Sequence, residues 1–178
     1  MSARGRVFVT GATGFVGRAA VKRLLAAGWQ VSAAVRDPAG AAGRLGGATL
    51  VPWPPPTEAL ATIGSGHDAI INLAGQPIAG RWSRAKRSRI LSSRLETTRL
   101  LVAAIEAADA PPPTLVSASA VGWYGHRTEE VDEGSEAGAG FLSDVCQRWE
   151  DEANRARSRG ARVVTLRFGI VLGAEGGA

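Results

Sequence analysis

A chain of 178 residues that is 45% hydrophobic can bury one sizeable core, so a single domain is expected. The one cysteine, Cys146, excludes an intramolecular disulfide, and two histidines without a cysteine cluster exclude a zinc-type ligand set, so no metal site is expected. The net charge of +5 would suit a polyanion, but nineteen arginines and two lysines are scattered among abundant Ala and Gly rather than gathered on one stripe, so a nucleic-acid partner is not expected. No apolar run reaches the roughly 18 residues a membrane span needs. The N-terminal apolar stretch is broken by glycines and lacks a cleavage-like end, so neither a signal peptide nor a membrane association is expected. A reducing, cytoplasmic setting follows as the expectation.

Apolar runs alternate with longer amphipathic stretches, the pattern of strand, crossover helix and parallel strand. "RVFVT" (6–10) predicts a buried strand, and 14–28 a helix with Val16, Ala20, Leu24 and Ala27 on one stripe and Gly28 as its stop. "QVSAAVR" (30–36) predicts the second strand, "DPAGAAGRLGG" a loop or weak helix, "ATLVPW" a short third strand and "PPPTEALATIGSG" a turn with a short helix. "DAIINLAG" (68–75) is the fourth strand and its exit. Residues 83–108 predict a long helix with Ile90, Leu91, Leu95, Thr98, Leu101, Val102 and Ile105 facing inward, ended by "DAPPP". "TLVSAS" (114–119) predicts strand five, 140–160 another long helix and "ARVVTLRFG" (161–169) strand six. Six strands with intervening helices predict an α/β, doubly wound parallel sheet of the Rossmann type.

"TGATGFVG" (10–17) follows the first strand at once and opens the first helix. There Gly11 permits a tight turn, Gly14 lets backbone approach a pyrophosphate and Gly17 allows close helix packing. The helix N-terminus offers unpaired N–H groups and a positive dipole end to the phosphates, and Thr13, Phe15 and Val16 complete the expected cradle. At the end of strand two an arginine suits a 2′-phosphate and an acid a 2′-hydroxyl. Arg36 comes first and Asp37 second, so NADP leads and NAD stays open; Arg18 is a candidate to reinforce the phosphate site. Ligands of open α/β sheets bind at the carboxyl ends of the strands, which selects the backbone of Leu73, Ala74 and Gly75 for the cofactor. The same rule selects Ser119 and Tyr124 after strand five as candidate catalytic groups.

"GATGFVG", "NLAGQPIAGRWSRAKRSRILSSRLETTRLL", "SASAVGWYG", "FLSDVCQRWE" and "LRFGIVLGAEGGA" resemble, in order and spacing, the extended short-chain dehydrogenase/reductase superfamily. The resemblance is closest to its atypical branch of nucleoside-diphosphate-sugar epimerase-like proteins. It implies Arg94 near the cofactor edge, Trp82 as a packing residue, and a small-molecule substrate such as a sugar nucleotide or carbonyl compound. It implies an NADP-linked oxidoreductase or epimerase-like enzyme in which Ser119 bonds the reacting oxygen and Tyr124 or water carries the proton.

The sequence departs from the superfamily at its YxxxK pair. With Glu150 as anchor, Leu142 stands at the tyrosine position and Cys146 at the lysine position, and Ser93 stands where many relatives have asparagine. Tyrosine ionises near pH 10, so Tyr124 needs a positive neighbour, for which only an oxidised nicotinamide and His126 suggest themselves. The loss of the pair keeps open the alternative of a non-catalytic NADP(H)-binding sensor or structural module. Cys146 is expected as a small core residue, and His67 and His126 as turn and loop residues. The resemblance also implies a C-terminal substrate lobe on the order of a hundred residues beyond Ala178, making this chain a fragment of a longer protein.

Overall fold

The structure, a computed structural model, describes residues 4–109, 113–173 and 176–177. Six parallel strands, β1 (Arg6–Thr10), β2 (Gln30–Val35), β3 (Thr49–Pro52), β4 (Ala69–Asn72), β5 (Thr114–Ala120) and β6 (Val163–Phe168), lie in the order β3-β2-β1-β4-β5-β6. The order reverses between β1 and β4, which is the switch point where such sheets bind ligands. The helices are α1 (Phe15–Ala26), α2 (Pro38–Ala41), α3 (Leu60–Ser65), α4 (Arg84–Glu106) and α5 (Phe141–Asn154). This is the expected doubly wound Rossmann fold.

Alternation along the strands divides the core in two. Phe8, Ile70, Leu115 and Val163 face α3, α4 and α5 and pack with Ile63, Leu101, Ile105 and Ala153. Val7, Val9, Val31 and Ala33 face the other way, against Val21 of α1 and Ala41 of α2. Strands covered on both faces need a continuous apolar run, which is how "RVFVT" reads. Each large side chain buried this way contributes about 1.5–3 kcal/mol.

The long helix begins where Ser83 caps it, its hydroxyl accepting from the Lys86 N–H at 3.2 Å. Its expected inward stripe holds except at Leu91, which is half-buried, and gains Ala104. The stripe expected on α1 is offset by one residue. Gly17 and Val21 are the buried positions of that helix, while Val16, Ala20 and Leu24 are half-buried. A glycine that packs against backbone gives no apolar signal, so the periodicity locked onto its neighbours. The helix expected over 140–160 ends at Asn154 and tightens into a 3₁₀ segment, Arg155–Arg159, stopped by Gly160 at φ +79°.

Beyond β6, β7 (Leu172–Gly173) and β8 (Gly176–Gly177) form a small antiparallel pair that the sequence reading did not anticipate. It brings the chain back to α1, where a Cβ at Gly173 would run into the Phe15 ring. Among the described residues no helix is long and apolar enough to cross a membrane, and no cluster of metal-ligating side chains occurs.

Candidate functional site

The glycine loop is built from backbone pressed against backbone. Gly11 sits at φ +67°, in the left-handed region, and a Cβ there would lie 2.5 Å from the carbonyl carbon and oxygen of Leu73. That contact ties the end of β1 to the exit of β4 at the switch point. The Gly14 N–H donates to the Gly11 carbonyl at 3.0 Å, and a Cβ on Gly17 would run into the same carbonyl oxygen. Gly14 is the N-cap of α1 and offers no side chain, and the first turn holds no acidic residue. The leading N–H groups of α1 therefore face outward with the positive end of the helix dipole uncompensated, which suits a phosphate. Thr13 and Gly14 are exposed and Phe15 and Val16 half-buried at this mouth, and the backbone of Leu73 and Ala74 lies against Gly11.

At the end of β2 the two rival side chains are in different states. Asp37 caps α2, its Oδ1 accepting from the Gly40 N–H at 3.0 Å. Its carboxylate is committed to local structure. Arg36 is exposed and makes no ion pair with another described residue. Arg18 lines a cleft between α1 and residues 43–46, together with Lys22 and Arg44.

Under the cradle lies a buried polar network. Thr10 Oγ1 donates to Asn72 Oδ1 at 2.7 Å, and Asn72 Nδ2 donates to Thr98 Oγ1 at 2.9 Å. Thr98 Oγ1 also accepts from Trp149 Nε1 at 3.0 Å and donates to the Arg94 carbonyl at 2.7 Å. With both groups of its amide used, Asn72 is a brace that sets β1, β4, α4 and α5 relative to one another. Ser93 accepts from the Gln76 N–H at 3.0 Å and so anchors the loop after β4.

Ser119 and Tyr124 are brought onto one chain of hydrogen bonds, by two residues whose part in it sequence reasoning missed. Ser119 Oγ donates to Glu150 Oε1 at 2.6 Å, and Arg167 clasps that carboxylate with Nε on Oε1 and Nη2 on Oε2, both at 2.9 Å. Arg167 Nη1 donates to the Tyr124 hydroxyl at 3.0 Å, and its guanidinium carbon lies 3.9 Å from the Trp123 ring centroid. The bidentate contact with Glu150 holds the guanidinium still more firmly charged than usual. This corrects the sequence reading at one point: the positive neighbour of Tyr124 is Arg167 and not His126, which is exposed in the loop. Part of the signal was available: Val163, Thr165 and Arg167 alternate along β6, which puts a charge on its inward face, but that this charge meets Glu150 follows only from the β5–β6 register.

Cys146 is buried beside Ser119, and burial raises its thiol pKa. That fits a core residue. His67 bridges strands and helix, Nδ1 on the Ile63 carbonyl and Nε2 on Ser32 Oγ, both at 2.9 Å. Trp82 donates to the Ile78 carbonyl at 2.7 Å and meets Phe141 edge-on, the packing role expected of it.

Comparison with known proteins gives this site its family. Residues 7–175 match the NAD dependent epimerase/dehydratase family. The chain belongs to that family. This epimerase-family chain is 38% identical over 183 residues to the chloroplastic epimerase family protein SDR39U1 homolog of Arabidopsis thaliana, covering 97% of the chain and 50% of that protein. The human SDR39U1 (isoform 2) crystal structure with NADPH superposes with a TM-score of 0.79 at 36% identity, covering 97% of the chain and 56% of that structure. The nucleoside-diphosphate sugar epimerase of Corynebacterium glutamicum superposes with a TM-score of 0.75 at 33% identity, over 99% of the chain and 36% of that structure. The epimerase-family chain thus spans about half the length of the first of these relatives.

Proposed function

We propose that this chain is the NADP(H)-binding part of an epimerase-family oxidoreductase acting on a small carbonyl compound or sugar nucleotide. The observation that carries the reading is the state of the β2 terminus: Arg36 is exposed and unpaired among the described residues, whereas Asp37 is spent on capping α2. A free arginine suits a 2′-phosphate, and a committed carboxylate is a poor partner for a 2′-hydroxyl. The human relative crystallised with NADPH supports the same preference.

The residues present fit the cofactor. Gly11, Gly14 and Gly17 leave a side-chain-free cradle at the open end of α1, with Thr13, Phe15 and Val16 around its mouth and the backbone of Leu73 and Ala74 against Gly11. The cofactor, when bound, supplies hydride exchange. The chain's own polar groups then manage the reacting oxygen. Because Ser119 gives its proton to Glu150, it presents a lone pair, which suits a substrate hydroxyl that donates. Tyr124 accepts from Arg167, so its own proton is free for a carbonyl oxygen, in the role of general acid.

Tight burial favours a second reading. Ser119 is 3% and Tyr124 8% exposed, as in a non-catalytic NADP(H)-binding module whose network only holds the fold.

Thermal shifts with NADPH and NADH, on this chain and on Arg36→Ala, test the cofactor assignment. One arginine–phosphate contact contributes about 1.5–3 kcal/mol, so NADPH should bind about ten- to a hundredfold tighter, and the mutant should lose that preference. Equal shifts for both nucleotides in the unmutated chain would make Arg36 a surface charge. Turnover of NADPH with a ketone and sugar-nucleotide panel separates enzyme from module.

A further inference from the structure

Along α1, Phe15, Arg18, Lys22 and Leu25 follow one another at steps of three and four residues and so share a stripe. That stripe is one wall of a cleft of about 530 Å³, and residues 43–46 form the other. The floor is apolar. Val21 and Leu45 are buried beneath it, and Phe15 and Leu25 are half-buried along it. Two residues of the second wall, Gly43 and Gly46, carry no side chain, and a Cβ on either would meet nothing within 4 Å, so open space remains there. Around the rim stand Arg18, Lys22 and Arg44. No carboxylate lines the cleft, α1 holds no acidic residue, and among the described residues none of these three cations makes an ion pair. Arg18 and Lys22 are four residues apart on one helix, a spacing at which like charges repel, and Arg44 adds a third. Small-molecule sites occupy about 300–1,000 Å³ and join apolar walls to a few placed charges, which is the composition of this cleft.

We propose that this cleft is a second ligand site that takes a small amphiphilic anion, its apolar tail on Phe15, Val21, Leu25 and Leu45 and its charged head among Arg18, Lys22 and Arg44. An inorganic anion would leave the apolar floor in water, and a neutral tail would leave the cations repelling, so only a ligand carrying both parts uses both features. Charge is what the rim selects, and a carboxylate or a phosphate head meets it equally. The site is separate from the nucleotide cradle. At a rise of about 1.5 Å per residue, Lys22 lies about 12 Å and Leu25 about 16 Å along α1 from Gly14. Neither Arg36 nor Gly11, Gly14 or Leu73 lines the cleft. Arg94, the cation expected at the cofactor edge, belongs to α4 on the opposite face of the sheet, where its guanidinium carbon would lie 3.0 Å from a Cβ on Gly75. Phe15 and Arg18 alone stand near both sites, so both stay in place in the variants below.

The test is titration with octyl phosphate, octanoate, octyl glucoside and inorganic phosphate, the amphiphiles kept below their micellar range, read by calorimetry and backbone amide shifts with and without saturating NADP+. Two variants are measured beside the unmutated chain. Lys22→Gln with Arg44→Gln removes two exposed rim cations, and Ala19→Trp sets an indole into the cleft from an exposed position of α1. Octyl phosphate and octanoate should bind saturably, about tenfold or more tightly than octyl glucoside or inorganic phosphate, and should shift the amides of residues 22–25 and 43–46. Their affinity should fall about tenfold in the double variant and be lost in Ala19→Trp, while NADP+ changes it less than about threefold. Absence of saturable binding overturns the proposal. Octyl glucoside binding as tightly as the anions would leave the rim without a role, inorganic phosphate binding as tightly as octyl phosphate would leave the floor without one, and either result overturns it. So does an affinity unchanged in either variant, or competitive displacement by NADP+, which would make the cleft part of the nucleotide site.

Discussion

Replacing Arg167 by methionine removes the cation that clasps Glu150 and leaves a carboxylate, 7% exposed, with Ser119 as its remaining side-chain partner. Breaking a buried ion pair from one side costs about 3–5 kcal/mol, because the surviving charge stays desolvated. Arg167 is itself 17% exposed, and Glu150 keeps one short bond, so the loss should fall at about 3 kcal/mol. For a domain of this length each kcal/mol moves the melting point by about 2–4 °C, which gives a drop of about 6–12 °C. Glu150→Gln alone should also destabilise, by orphaning the guanidinium. The double variant should then recover at least about 1 kcal/mol relative to the sum of the two, since replacing both partners removes the uncompensated charge. Urea unfolding followed by tryptophan fluorescence measures all four corners of the cycle. Additive single losses, or a loss below about 1 kcal/mol for Arg167→Met, would refute the clasp as what holds α5 to β6.

Gly17→Ala drives a methyl group into the Gly11 carbonyl and should cost about 1–3 kcal/mol of stability, together with any stabilisation by NADP+; an unchanged melting point and nucleotide response would contradict the close packing of α1 on the loop. Burial keeps the His67 imidazole below its ordinary value of 6.5. Its folded state resists protonation, so its stabilising effect is present above about pH 6.5 and lost as pH falls below it, and stability should decline on acidification more steeply than in His67→Gln. Equal slopes for the two proteins would show that His67 does not titrate with folding.

The strand positions and the glycine loop were legible because both are local: a buried parallel strand is a short apolar run, and the loop glycines follow one directly. The stripe of α1 was read one residue out because its innermost residue, Gly17, packs by having no side chain. The β7–β8 pair was illegible for the same reason, since "GAEGG" offers no alternation to read. Arg167 was overlooked because its meaning depends on register. Only when Ser119 of β5 pairs with Arg167 of β6 does the guanidinium come level with Glu150, a relation between segments far apart in sequence. The competition between Arg36 and Asp37 was visible as a question in two adjacent letters. Its answer needed the cap on α2, which commits one of them.

The most direct measurement is the set of backbone amide shifts on titration with NADP+. If the main chain between β1 and α1 cradles the diphosphate, the amides of Thr13, Gly14 and Phe15 move most, with Arg36 and Gly75 following. If those amides stay fixed while Gly43 to Gly46 and the flank of α1 shift, the nucleotide sits in the neighbouring cleft and the cradle does not bind it.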